Sequence, residues 1–344
     1  MKPLVLYKLD TLVIQTHLDF LWTVSSFIPH RLSSCIFLAV CLSTMAPAVA
    51  TQIFAFASFF IENLHVLPNG KILLITLNSP GLLYSLDPNA ENPESSVTQI
   101  ANLPDFHNIN GVTGIAPLGD GLIAITGGIH TSYAFQDGSM HLYIVSLMEN
   151  TVIENIAVPG TSSLNGLAAL NAHTLLSADS IGGRIIRIDT LTKAVSVVVE
   201  SEILAPGSSG LAIGINGLKV HGNFVYFTNS NLGIFGRLPI DEEGNQVGAI
   251  EVLARSTSAS DIYDDFTFDS AGNAYVAVHS SSVFKITPEG VQTLLVGDAQ
   301  NSSSMLTEPT SVAMANDGTS IYVSTGGGFA ATPRTGGQVV QIKL

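Results

Sequence analysis

Short apolar runs punctuated by Gly, Asn and Asp fill the chain from about residue 55 onward. Phe224-Val225-Tyr226-Phe227 and Ala274-Tyr275-Val276-Ala277 are typical. They are too short for helices, carry β-branched and aromatic residues, and are bounded by turn formers. A second run often follows and closes on an aspartate, as in Leu83-Tyr84-Ser85-Leu86-Asp87, Arg187-Ile188-Asp189 and Leu238-Pro239-Ile240-Asp241. No apolar period of 3.6 persists long enough for a helical module. The pattern predicts strands throughout.

One phrase recurs ahead of these runs. It reads Leu164-Asn165-Gly166-Leu167 and Ile215-Asn216-Gly217-Leu218, with a carboxylate version in Tyr263-Asp264-Asp265-Phe266. Ile61-Glu62-Asn63-Leu64 is the earliest, Ile109-Asn110-Gly111-Val112 a weaker copy, and Glu308-Pro309-Thr310-Ser311-Val312 a degraded one. Their period is roughly 50 residues, that of propeller blades. A unit of three or four strands cannot bury both its faces alone. Six such sheets set radially can, around a central channel. The expected fold is therefore all-β, a six-bladed β-propeller with a central channel. The blades are expected near 60–100, 105–158, 162–203, 210–254, 260–297 and 305–344, with Thr51–Ser58 an outer strand closing the ring.

This placement makes Glu62, Asn110, Asn165, Asn216 and Asp264 converge at one mouth. Asn-Gly is equally a common turn pair, which offers a purely structural account of Asn165 and Asn216. Asp87, Asp189, Asp241 and Asp269 read as hairpin-turn residues. The long connection Gly127–Gly138, with His130, Tyr133 and Phe135, has the length of a loop covering a site. Candidate catalytic residues are Asn165, Asp264, Asp265, His65 and Tyr263. Candidate substrate contacts are Asn110, His107, Phe106, His130, Tyr133 and Phe266.

Composition narrows the function. With 344 residues, 46% hydrophobic and 12% charged, the chain can bury a large core. Its net charge of −14 disfavours nucleic acid and anionic lipid surfaces as partners. Residues 1–50 stand outside the repeat and end in Ala48-Val49-Ala50, an A-x-A pattern that reads as a signal peptide or leader. The apolar stretch before it is short for a membrane span. The expectation is a single domain over 51–344, secreted or luminal, without stable membrane insertion, as monomer or homodimer. Cys35 and Cys41 both fall in the leader, so no disulfide is expected afterwards. Asn301-Ser302-Ser303 is a glycosylation sequon. The glycine clusters at 326–328 and 336–337 read as turns, not phosphate loops.

The Asn-Gly-Leu phrase, with Asp-Ser or Asn-Ser after the next strand, resembles the regucalcin and gluconolactonase (senescence marker protein) family. So does Asp264-Asp265-Phe266-Thr267-Phe268-Asp269-Ser270 with its continuation to Ala277. The resemblance covers about 55–344. It implies a divalent cation, commonly calcium, held by Glu62, Asn216 and Asp264, with Asn165 touching substrate. Two carboxylates and an amide oxygen do make a hard-oxygen set suited to Ca²⁺ or Mg²⁺. Such an ion could polarise a lactone, with Asp264 or Asp265 as general base.

The departures are specific. Asn63-Leu64-His65-Val66 follows the first-blade Glu, where the hydrolases carry a Gly/Ser-Pro-Val-Trp type sequence. Ser163-Leu164 precede Asn165 where they place an arginine, and Asp265 replaces a glycine. A fungal, secreted branch that shares Glu-Asn-Leu, Gly-Ile-Asn-Gly and Asp-Asp-Phe is more similar. Its implied activity is hetero-Diels–Alder coupling of an o-quinone methide, for example tropolone-derived, with a terpene alkene, in specialised metabolism. That reaction requires no cofactor and takes apolar small-molecule partners. The alternatives are a metal-dependent lactone or ester hydrolase and a non-enzymatic ligand-binding propeller, which a channel plugged by side chains would favour.

Overall fold

The computed structural model describes residues 48–79, 82–131, 134–258, 260–279, 281–297, 306–328 and 335–344. Nearly all of the expected leader, the sequon at Asn301 and the lid residue Tyr133 lie outside them. The described part is all-β and propeller-like. Among the described residues no helix is long and apolar enough to cross a membrane.

Strand β1 (Ala50–Ala55) pairs antiparallel with the last strand of the chain, β26 (Gln338–Lys343), as expected for a closing strand. It begins at Ala50, the last residue of the expected leader. The first meander is β2 (Phe60–Val66), β3 (Ile72–Leu77), β4 (Leu82–Leu86) and β5 (Thr98–Asn102). The second holds β6 (Gly111–Gly119), β7 (Leu122–Gly128), β10 (His141–Ser146) and β11 (Thr151–Ala157). A small hairpin, β8 (His130–Thr131) with β9 (Ala134–Phe135), fills the long connection between β7 and β10. The first two meanders share one bridge, Leu77 to Gly111.

The third meander is β12 (Leu164–Ala169), β13 (Thr174–Asp179), β14 (Arg184–Asp189) and β15 (Val195–Glu200). The fourth is β16 (Ile215–His221), β17 (Phe224–Asn229), β18 (Ile234–Pro239) and β19 (Glu251–Arg255). The fifth is β20 (Tyr263–Phe268), β21 (Ala274–Val278), β22 (Ser282–Ile286) and β23 (Gln292–Gly297). The sixth is β24 (Pro309–Met314), β25 (Ser320–Thr325) and β26, completed by β1.

Burial tracks strand order. Every residue of Ile72–Leu77 in β3 is buried, because sheets stack on both of its faces. The outermost β11 instead alternates, with Val152 and Ile156 buried between exposed neighbours. The core is divided by boundary. Separate clusters such as Leu73–Ile125–Tyr143 (first with second) and Leu176–Ile215–Phe227 (third with fourth) lie between successive meanders. The cluster of Phe54, Ile61, Leu74 and Tyr322 lies between sixth and first, so that among the described residues a cluster fills every boundary between successive meanders. First strands touch in cyclic order, β2, β6, β12, β16, β20, β24 and back to β2. Asp269 sits in a turn as expected, and Asp189, the last residue of β14, leads into one; each accepts backbone N–H bonds through Oδ1.

Candidate functional site

The pairing register slips at the same point in all six first strands, between Ile61 and Asn63, Val112 and Gly114, Leu164 and Leu167, Ile215 and Leu218, Tyr263 and Phe266, and Pro309 and Ser311. Bulges of this kind re-aim side chains. They make Glu62, Thr113, Asn165, Asn216, Asp264 and Thr310 one equivalent set, and Asn63, Gly114, Gly166, Gly217, Asp265 and Ser311 the next. Thr113 and Thr310 behave alike: each hydroxyl donates to the backbone carbonyl preceding the equivalent residue of the next meander, Leu164 O and Ile61 O.

Two expectations change here. The second-meander member of the set is Thr113, not Asn110. Asn110 precedes β6, and its amide is spent on the backbone of His130, donating to O at 2.8 Å and accepting from N at 2.7 Å. Nor do the Asn-Gly pairs make turns: Asn165-Gly166 and Asn216-Gly217 lie inside β12 and β16. Glycine is required by close approach. A Cβ on Gly166 would lie 2.4 Å from Asn216 O, and one on Gly217 2.7 Å from Asp265 Oδ1.

The first set forms an acidic, amide-lined mouth. Asn165 Nδ2 donates to Glu62 Oε1 at 3.4 Å. Burial and the nearby charge of Asp264 hold the Glu62 carboxyl well above the usual range, against the opposing effect of that hydrogen bond. Burial also raises Asp264, opposed by His279, whose Nε2 lies 2.5 Å from Asp264 Oδ2. His279 is raised in turn: burial works against it, but the bond to Asp264 and that carboxylate's charge prevail. Asn216 donates through Nδ2 to Ser230 Oγ at 2.9 Å, and its Oδ1 is buried with no partner.

The second set forms a hydrogen-bonded floor beneath this mouth. Lys219 Nζ sits 2.6 Å from both oxygens of Asp265. Asn63 Nδ2 donates to Asp265 Oδ2 at 2.9 Å, and Ser311 Oγ donates to Asn63 Oδ1 at 2.7 Å. Side chains of four meanders thus meet in one network. Asp265 is committed to it and, with its amine partner below the mouth, is not placed as a general base there. Three residues after Glu62 and Asn216, His65 and Lys219 mark a third level. Burial and the Lys219 charge lower His65 to about 4, so it is neutral at neutral pH.

Other expected site residues lie elsewhere. Tyr263 and Phe266 are fully buried in the cluster between the fourth and fifth meanders. The Tyr263 hydroxyl donates to Gln292 on the outer strand β23, and burial pushes it up to about 12. Both belong to the core because odd and even positions of a strand face opposite sides, and the bulge reassigns which side is which. Phe106 packs on the core between the first two meanders. His107 stacks on His141 with ring centroids 4.3 Å apart and has Tyr143 Oη 3.3 Å from its Nδ1. His130 is buried beside Phe135 and over Gly111.

The sequence reading missed His279, Lys219, Ser180 and Thr113. Ser180, Ser230 and His279 share a signal: each directly follows the second strand of its meander, where the Asp-Ser and Asn-Ser pairs stand.

Among the described residues no group of three or more His, Cys, Asp or Glu side chains is placed to hold a metal ion. An amide oxygen can replace a third acid, and the unpartnered Asn216 Oδ1 with the carboxyls of Glu62 and Asp264 fits a hard divalent cation in chemistry. A cleft of about 980 Å³ lies at the opposite strand ends, lined by Leu170, Asn171, Val220 and Asp241 among others. Of its acids, Asp189 and Asp241 are partly exposed residues at strand ends, held below the usual range by hydrogen bonds. The mouth, with its buried and mutually interacting acids, is the stronger site.

No family model matches the chain. A protein of Phoma sp named "Putative hetero-Diels-Alderase" is 24% identical over 282 residues, covering 74% of this chain and 79% of that one. Regucalcin of Agrobacterium tumefaciens, a calcium-binding protein, superimposes with TM-score 0.52 at 15% identity, covering 85% and 97% of the two chains. A structure titled a putative gluconolactonase gives TM-score 0.57 at 13% identity, covering 87% and 93%. The expected resemblance is therefore found from two sides: the chain is similar in sequence to a protein bearing the hetero-Diels–Alderase name, and in fold to the regucalcin and gluconolactonase propellers.

Proposed function

We propose that the chain is a six-bladed propeller whose mouth joins an o-quinone methide to an alkene by hetero-Diels–Alder cycloaddition. The observation that carries this reading is the Glu62–Asn165–Asp264 cluster, in which burial biases Glu62 toward its acid form while Asp264 pairs with His279. A carboxyl that burial biases toward its acid form can donate a hydrogen bond, as can the Asn165 amide. Both would stabilise charge developing on the carbonyl oxygen of the heterodiene. The methide carbon bonds to one alkene carbon and the oxygen to the other. Three π bonds become one π and two σ bonds, and no proton or leaving group departs. Most of the acceleration then comes from holding two partners in attack geometry, an effect worth up to about 7–11 kcal/mol in favourable intramolecular cases. The similarity to the Phoma protein supports the assignment.

The test is stereochemical. The purified protein is given an o-quinone methide released in situ from an o-hydroxybenzyl precursor, together with an excess of a trisubstituted alkene. The expected result is a dihydropyran adduct formed with enantiomeric excess. Racemic adduct at the background rate would refute the reading.

A second reading has its own observation in the unpartnered Asn216 Oδ1. Glu62, Asn216 and Asp264 would hold a divalent cation, which when bound supplies a Lewis acid for a lactone or ester carbonyl. Glu62 and Asp264 would ionise to balance its charge, and Asn165 would orient the substrate. Lactone turnover lost on chelation and restored by calcium would favour this reading. Secretion, glycosylation at Asn301 and a monomeric or dimeric state remain part of the proposal.

A further inference from the structure

The residue after the second strand holds the channel residue of its own meander in two cases. Ser230, after β17, accepts the Asn216 amide on Oγ at 2.9 Å. His279, after β21, meets Asp264 Oδ2 through Nε2 at 2.5 Å. The two contacts differ in what they leave open. The serine engages the donor end of its partner and leaves Asn216 Oδ1 free to accept. The histidine engages an acceptor, so one oxygen of Asp264 already carries an N–H.

Backbone contacts fix that imidazole independently of its own bond. His279 N donates to Ile262 O at 3.0 Å, two residues before Asp264, and Val278 pairs with Tyr263. The His279 side chain is 29% exposed and that of Asp264 8%, so the acid is the more covered of the two. Against the cost of burial, Asp264 and then Glu308 favour a proton on the imidazole. Glu308 itself is held in the left-handed region at φ 58°, its O accepting from Gly326 N at 2.7 Å. Non-glycine residues keep such a conformation at a cost, and those costs gather at sites that use them.

The contact bears on the divalent cation. Calcium takes about six to eight oxygens and magnesium about six, so no carboxylate oxygen is spare in a set of three residues. Asn165 engages Glu62 Oε1 at 3.4 Å, and His279 engages Asp264 at the shorter distance. An N–H aimed at Oδ2 takes the lone pair a cation would use and turns its positive end toward the ion's position. We propose that His279 sets this mouth against divalent cations by occupying Asp264, which keeps the site in its hydrogen-bonding form. As the reason the mouth works without a Lewis acid, this role rests on the cycloaddition reading. As antagonism between imidazole and cation it does not, and it is measured without turnover.

Titration calorimetry of the full chain with calcium tests it. His279→Ser installs the residue type that Ser180 and Ser230 supply at this position in the third and fourth meanders. The variant should bind calcium roughly tenfold more tightly than wild type, about the worth of one hydrogen bond to a charged group. His279→Ala should do the same, so either variant that keeps the wild-type melt decides. Asp264→Asn in the same background should cancel the gain. Calcium binding no tighter than wild type, or a gain that survives Asp264→Asn, would overturn the proposal. So would calcium that saturates the wild type while the His279 imidazole resonances stay unmoved. Racemic adduct from a protein that shows the gain would sink the cycloaddition reading and leave the role of His279 standing. Enantioselective adduct without the gain would do the reverse.

Discussion

Asn165 on β12 reaches Glu62 on β2 across 103 residues of sequence, its Nδ2 donating to Oε1 at 3.4 Å. The amide is the one side-chain group whose hydrogen bond favours the charged form of that carboxyl, and burial outweighs it. Glu62 therefore destabilises the fold when ionised. Its folded pKa is raised, so its stabilising contribution is present below the unfolded value near 4.5 and is lost as pH rises through the folded value.

Glu62→Gln removes this titration while keeping the shape. In thermal melts with chelator present, the variant should gain on the wild type steadily as pH rises from 4 to 8. The same variant should lose activity, a stability–function trade-off expected where acids are buried for chemistry. A constant difference in melting temperature across that range would show that Glu62 is not a buried acid.

The floor network makes a separate prediction. Lys219 neutralises Asp265, which is 1% exposed. Lys219→Met leaves that carboxylate buried without a cation, with only the hydrogen bonds from Asn63, Ser311 and the Phe266 N–H, at a cost on the order of 3 kcal/mol in denaturant unfolding. Adding Asp265→Asn should restore most of it, because the second change removes the uncompensated charge. Additive losses in the double variant would mean that the two side chains act independently.

The architecture was legible because strand runs and aspartate turns repeat at one period, and six similar units leave few ways to bury their faces. The mouth was legible only in part. Glu62, Asn165, Asn216 and Asp264 stand in a phrase that survives in the sequence, whereas Thr113 does not: its unit has slipped three residues relative to the Asn110 copy. Bulge positions depend on pairing partners, which one strand's sequence does not contain. Tyr263 and Phe266 went astray for the same reason, since a one-residue slip exchanges channel and core faces. His279 and Lys219 were invisible because their meaning comes from acids on other strands.

His65 carries the pH prediction on the acid side. Its folded pKa is lowered from 6.5 to about 4 by burial and by Lys219. The unfolded chain thus takes up a proton first as pH falls, and stability drains away between 6.5 and about 4. At about 1.4 kcal/mol per unit the loss has a ceiling on the order of 3 kcal/mol. Unfolding free energies of His65→Gln and wild type at pH 7 and pH 4.5 measure it, and the variant should fall less. Parallel decline of the two proteins would place His65 in solvent.

Two variants on one substrate pair separate the chemistries. If the reaction is a concerted cycloaddition, Asp264→Asn lowers the rate modestly, because no proton transfer is lost and the amide still donates. His279 loses its charged partner at 2.5 Å, so fold and melting temperature must be checked alongside. Asn165→Phe should be far worse. It fills the mouth and removes the donor to Glu62, and misplacing reacting partners by about 1 Å costs on the order of a hundredfold. A hydrolase reverses this ranking, since losing a general base typically costs about 10²–10⁴. Single-turnover rates of both variants on the o-quinone methide and alkene pair decide between them. Abolition of adduct formation by Asp264→Asn in a folded protein would end the cycloaddition reading.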